Sequence, residues 1–316
     1  MSKKEEKEYE EYESLKNSKL KQQKLPGWRP VPSMARTVTV FITLGVIFAG
    51  LGVLILLFSN QIVEIKERYD DDKNCINTNK CNIIINITKK MEKNISIYYE
   101  LDGFYQNHRR YISSKSESQL KGENITLKEM IDSKDCYPLV TNEDMEVGEA
   151  IDTDKTKLDP KDLAIPCGLM AKNFFNDSFK IYKENGEKII IDEKNIARKS
   201  DRDKYKKNFN LSKQWISLTD EHFMVWMRPS PFTNFQKLWG RINEDLEADT
   251  KINVEINNNY PVKHFNGRKY IVLRTINYFG GKNFTLAIAY MGFGGFSIIL
   301  GIIFLISFKA KAKKEK

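Results

Sequence analysis

Gly280-Gly281-Lys282, within NYFGGKNFTLAIAY (277–290), has the residue types with which a backbone cradles phosphate. Such a loop needs G-x-x-x-x-G-K-[ST]. With Gly281-Lys282 as its end, the first glycine position holds Ile276 and the metal-binding hydroxyl position holds Asn283, so two required positions fail. Asp154-Lys155-Thr156-Lys157 sets an aspartate before Lys-Thr, the order in which a carboxylate attacks ATP in the D-K-T-G motif. Here Lys157 replaces the glycine and no nucleotide-binding segment surrounds it, so the stretch reads as a solvated charged loop. Neither G-x-S-x-G nor H-E-x-x-H occurs, and the histidines (His108, His222, His264) are scattered. The four cysteines lack C-x-x-C spacing, which disfavours a metal site. The sequence predicts no catalytic residue, no cofactor and no metal.

The residues after Lys282 explain why the glycines are there. Phe284 to Phe308 is 25 residues without a charge, and Thr37 to Phe58 is another 22. A bilayer core of about 30 Å takes roughly 20 helical residues to cross. Backbone in lipid must satisfy its own hydrogen bonds, so both runs are expected to be spanning helices. The first is preceded by 36 polar residues and is longer than a signal-peptide core, so it reads as an uncleaved anchor. Gly280 and Gly281 then stand where the chain turns back into the membrane, with Lys282 at headgroup level. Within the spans, Gly45 with Ala49 and Ser297 with Gly301 lie four apart and permit close helix contact, either with each other or with a partner's helix.

The net charge of +9 is concentrated beside the spans: residues 1–36 carry +3, residues 309–316 carry +4, and the 225 residues between the spans only +2. That placement suits an anionic leaflet and argues against nucleic acid. The five lysines of the short C-terminal tail favour a cytosolic C-terminus, and two spans then put the N-terminus in the cytosol too. The expected segments are a cytosolic tail (1–36), a span (37–58), a luminal domain (59–283), a span (284–308) and a basic cytosolic tail (309–316).

Cys75, Cys81, Cys136 and Cys167 all fall in 59–283, as expected of a segment facing an oxidising lumen. Three pairings are possible, and short loop closure favours 75 with 81 and 136 with 167. Glycosylation triplets begin at Asn86, Asn94, Asn124, Asn176, Asn210 and Asn283, also confined to this region. Asn283 is discounted because it abuts the membrane.

Residues 1–24 are a charged tail unable to bury a core, and LPGWRPVP then forces an extended approach to the first span, with Trp28 as an interfacial anchor. Between the spans, IIINIT (83–88), ISIYYEL (95–101), KIIID (188–192), HFMVWM (222–227), INVEI (252–256) and KYIVLRTI (269–276) read as short strands. NFQKLWGRINEDLE (234–247) reads as a helix, because Phe235, Leu238, Ile242 and Leu246 recur at helical spacing. The fold predicted is two transmembrane helices flanking a large, mainly antiparallel-β, sandwich-like domain with helical insertions.

Longer blocks carry a resemblance. KQQKLPGWRP (21–30), YYELDGFYQNHRRYISSKSESQLKG (98–122), IPCGLMAKNFFNDSF (165–179), EHFMVWMRPSPFTNFQKLWGRI (221–242) and NNYPVKHFNGRKYIVLRTINYFGGKNFTLAIAY (258–290) resemble the Cdc-fifty and ligand-effect-modulator family. These are accessory subunits of type-IV P-type ATPases, the phospholipid flippases. The resemblance implies a non-catalytic chain with cytosolic termini and a glycosylated ectodomain. It implies a heterodimer with an ATPase catalytic subunit that moves membrane phospholipids to the cytosolic leaflet, and an itinerary from the endoplasmic reticulum to Golgi, endosome or plasma membrane. It also maps the family's cysteine pairs onto Cys75 with Cys81 and Cys136 with Cys167, and a glycosylation position onto Asn176.

Arg274 and Tyr278 stand where relatives usually have serine and tryptophan, and Thr285 and Ala287 alter the pattern after GGKN. Partner contact is expected through the tail at Trp28, through Gly45, Ala49, Ser297 and Gly301 in the spans, and at the Gly280-Gly281 junction. A stand-alone glycosylated receptor or adhesion protein is the alternative reading, and a membrane-bound luminal enzyme the other.

Overall fold

The computed structural model describes residues 9, 12–24, 33–76, 78–205, 211–277 and 280–314. Trp28, Asn210 and Tyr278 lie outside the described residues. The chain forms two compact units, residues 1–56 with 284–316, and 57–283.

In the first unit, long helices cover Met34–Asn60 and Phe284–Lys314, the former running on into the second unit. Their apolar windows have mean hydropathies of 2.8 and 2.2, yet only 11% and 17% of those windows are buried inside the protein. A soluble core helix this apolar would be covered, so the exposed surface is what lipid must cover.

The second unit is an antiparallel β-sandwich. Its strands are β1 (Glu64–Arg68), β2 (Lys80–Ile87), β3 (Ile95–Asp102), β4 (Ser178–Lys183), β5 (Lys188–Ile189), β6 (Ile191–Asp192), β7 (Phe235–Ile242), β8 (Thr250–Asn257) and β9 (Arg268–Arg274). One sheet has the order β1-β9-β3-β7-β6 and the other β2-β8-β4-β5. In β2, KCNIIINI buries every second residue, so Ile83, Ile85 and Ile87 enter the core while Ile84 and Asn86 face out. Each such isoleucine contributes roughly 1.5 to 3 kcal/mol when fully buried. From the other sheet, Ile97, Tyr99 and Leu101 of β3 meet them. Tyr99 stacks on Phe175 with ring centroids 3.8 Å apart, and Trp239 sets its edge against Phe179 at 5.2 Å.

Three segments differ from expectation. NFQKLWGRI is strand β7, not a helix. Its register on β3 slips between Ile97 and Tyr98, which leaves Trp239 as the extra residue of a bulge. The slip reverses the inward parity, so Phe235 and Trp239 are buried on one side of it and Ile242 on the other, and a period of two imitates one of 3.6. HFMVWM is a helix, Glu221–Trp226, rather than a strand. The Asp220 side chain caps it by accepting from the His222 backbone N–H at 2.8 Å, and so short an apolar run has no periodicity of its own to oppose the cap. KIIID is divided: β5 pairs with β4 in one sheet and β6 with β7 in the other, with the chain crossing between sheets at the exposed Ile190.

Candidate docking elements

The two ends of the β unit are tied together by backbone and short polar side chains. Val63 donates its N–H to Thr275 Oγ1 at 2.9 Å, and Thr275 N–H returns to the Val63 carbonyl at 3.0 Å. Asn277 Nδ2 donates to the Phe58 carbonyl at 2.9 Å, and Asn283 N–H to Ser59 Oγ at 3.1 Å. The two glycines expected here have different roles. Gly280 has φ +87°, a left-handed conformation that a side chain disfavours, although open space surrounds it. Gly281 lies beside Arg274, whose Nη1 would be 3.3 Å from an added Cβ.

Arg274 itself anchors a row of charges across the outer face of the five-stranded sheet. Its Nε donates to Glu64 at 2.7 Å and its Nη2 to Gln236 Oε1 at 2.6 Å, with the guanidinium 5.3 Å from the Tyr98 ring centre. Gln236 donates in turn to the buried Glu100 at 2.8 Å, whose other oxygen accepts from Lys66 Nζ at 2.5 Å. Cross-strand pairs of this kind contribute roughly 0.2 to 1 kcal/mol each.

A second polar cluster is fully enclosed. Asp177, the middle residue of the Asn176 glycosylation triplet, accepts from the backbone N–H of Asn259 and Tyr260 at 2.6 Å each. It also accepts from Tyr69 Oη and Lys269 Nζ at 2.7 Å each. Lys269 completes its set with Asn258 Oδ1 and the Tyr260 carbonyl. Burial lowers the Lys269 pKa against the opposing pull of Asp177, while burial and then the Asp177 charge push Tyr69 well above its ordinary value. Lys237 differs in having no carboxylate partner among the described residues. Its Nζ donates to the carbonyls of Val225 at 3.1 Å, Trp226 at 3.3 Å and Arg228, closing the C-terminal end of the Glu221–Trp226 helix. Burial, and secondarily Arg228, lower its pKa to about 7.

Disulfides join Cys75 to Cys81 and Cys136 to Cys167. The second is locked from both sides: Ser114 Oγ donates to the Cys136 carbonyl, and Gln119 Oε1 accepts the Cys167 N–H. Next to it Gly168 has φ +99°, and an added Cβ would lie 2.2 Å from the Ser114 carbonyl oxygen. Nothing in the sequence singles out Gly168, because the clash comes from a residue 54 positions away. Asn86, Asn94, Asn124 and Asn176 are all exposed, whereas Asn283 is half-buried.

In the span unit, Gly45, Gly52, Gly294 and Gly301 lie where the chain's own two helices meet. A Cβ on Gly45 would lie 2.5 Å from Ile298 and 2.9 Å from the Gly294 carbonyl, and one on Gly294 would lie 2.6 Å from the Ala49 nitrogen. Gly52 meets Met291 and Ala287, Gly301 meets Ile42, and Ser297 is 4% exposed. Gly50, Gly292 and Gly295 have nothing within 4 Å of that position. Backbones this close gain dispersion and weak polar contacts that side chains would prevent.

These elements brace, staple and anchor. Among the described residues no group of three or more His, Cys, Asp or Glu could hold a metal ion. Residues 5–314 match the model of the LEM3 (ligand-effect modulator 3) family / CDC50 family. The chain is 36% identical over 329 residues to ALA-interacting subunit 3 of Arabidopsis thaliana, covering 95% of this chain and 87% of that one. It is 32% identical over 338 residues to Cell cycle control protein 50A of Mus musculus, covering 92% and 88%. With Cell cycle control protein 50B of Homo sapiens it shares 27% over 341 residues, covering 92% of each.

Proposed function

The chain belongs to the LEM3/CDC50 family of integral membrane proteins, and we propose that it is the non-catalytic accessory subunit of a type-IV P-type ATPase that moves phospholipids to the cytosolic leaflet. The observation that carries this is the match over residues 5–314, which takes in both spans and the whole β unit. The name ALA-interacting subunit, borne by a relative of which the match covers 87%, supports a role in assembly with another protein.

In this reading the β unit is luminal and glycosylated at Asn86, Asn94, Asn124, Asn176 and Asn210, and both termini are cytosolic. The subunit accompanies its ATPase out of the endoplasmic reticulum and holds the ATPase's luminal loops and outer helices while its cytosolic domains move. The Gly280-Gly281 junction, the tail at Trp28 and the span pair take part in that hold. Gly45, Ala49, Ser297 and Gly301 act by keeping the two spans together as one surface.

Lipid-stimulated ATP hydrolysis by the catalytic subunit, expressed with and without this chain, tests the reading. Activity should require both polypeptides, and this chain alone should show none. Hydrolysis by this chain alone, or an ATPase indifferent to its presence, would overturn it.

A further inference from the structure

The outer face of the four-stranded sheet is an open depression of about 1190 Å³. Strand alternation builds its floor: β2 turns Asn82 and Ile84 outward, β8 turns Asn253 and Glu255, and β4 turns Tyr182. Two features of that floor are unusual for a surface left to water. Ile84 is 67% exposed in its middle. Its cross-strand neighbour Asn253 has an amide oxygen closed off from solvent with no hydrogen-bond donor, a costly state for a polar atom. Amides and a carboxylate beside an aliphatic and an aromatic side chain form a mixed surface. The polar groups can bridge hydroxyls, and the apolar ones can take the C–H face of a ring.

A sugar is already tethered to that surface if the triplet Asn86-Ile87-Thr88 is used. Asn86 is exposed on the same outward face, two residues along β2 from Ile84 and opposite Lys251, which lines the depression. At about 3.4 Å per residue and about 4.8 Å between strands, Ile84 lies about 7 Å from Asn86. Tyr182, two strands over by way of Asn253, lies about 12 Å away.

We propose that the N-linked glycan on Asn86 lies across this face, covering Ile84, Asn253 and Tyr182. The idea rests on the luminal, glycosylated reading of the β unit. The glycan covers Ile84, which is 67% exposed without it. It also shields the broad, mixed face of the sheet from other proteins.

The test uses the full-length chain, purified with its glycans and with whatever it binds. Glycopeptide mapping reads occupancy. Hydroxyl-radical footprinting then compares Tyr182 before and after the folded protein is trimmed by an endoglycosidase, with the 65% exposed Tyr105 as control. The expectation is an occupied Asn86 and severalfold greater Tyr182 oxidation after trimming, reproduced without trimming in Thr88→Ala, with Tyr105 unchanged. If Asn86 is occupied but Tyr182 does not respond, because it is open throughout or is shielded by a partner's loop, the proposal is overturned. If Asn86 is bare while another triplet is occupied, the proposal fails and the luminal reading stands. If no triplet is occupied, both fail.

Discussion

Lys237 and Lys269 are both buried cations, and the difference in how each is held gives two predictions. Lys269 depends on Asp177, and removing one partner of a buried pair costs about 3 to 5 kcal/mol because the other charge stays buried. Asp177→Asn should therefore lower the thermal unfolding midpoint of the full-length chain markedly. It leaves Asn176-x-Ser178 intact, so an unchanged glycopeptide at Asn176 would separate lost stability from a lost glycan. Lys237 makes a pH-dependent contribution. An ordinary lysine keeps its proton to about 10.5, whereas Lys237 in the folded chain releases it near 7. Between those values the unfolded chain binds the extra proton, so stability rises with pH, by up to about 1.4 kcal/mol per unit from this group. Below about 7 both states are protonated and the slope vanishes. Lys237→Met should flatten the rise between about pH 7 and pH 9. It should also destabilise the chain on the order of 2 kcal/mol or more by leaving helix-end carbonyls without donors. Unfolding midpoints at several pH values, wild type against variant, check both effects. Neither lysine's role is legible in the sequence. Asp177 meets Lys269 and Tyr69 across 92 and 108 residues, and only the fold brings them together.

Elements are most legible where one period runs without interruption. INVEI alternates cleanly and is part of strand β8, and IIINIT, β-branched throughout except at Asn86, supplies most of strand β2 with Ile84 turned outward. The β7 segment misleads because the bulge at Trp239 is set by its pairing with β3, a tertiary event that leaves no mark in the residues themselves. Gly280 is recognisable in the sequence as a junction residue, but only the structure separates it from Gly281. Gly280→Ala must hold φ near +87° against its Cβ, at a cost of about 1 to 2 kcal/mol. Gly281→Ala needs only a small shift of the Arg274 guanidinium. Recovery of folded chain from membranes should fall for the first and stay near wild type for the second. Equal behaviour would remove the conformational reason for Gly280.

At the scale of the whole molecule, uncharged runs of 22 and 25 residues make the two spans plain, and the long blocks between them make the family plain. The span glycines are legible as small residues but not as to what they face. Periodicity gives the face, and only packing shows that Gly45 and Gly294 are taken up by the chain's own helix pair. With those residues used internally, the surface left for a partner is the outside of that pair together with the β unit. Affinity purification of the tagged, full-length chain from detergent tests partnership with an ATPase. The predicted result is a P-type ATPase recovered in near-equal amount with chain whose disulfides are intact. Intact, folded chain recovered repeatedly without any P-type ATPase would contradict it and return the protein to the receptor or adhesion class.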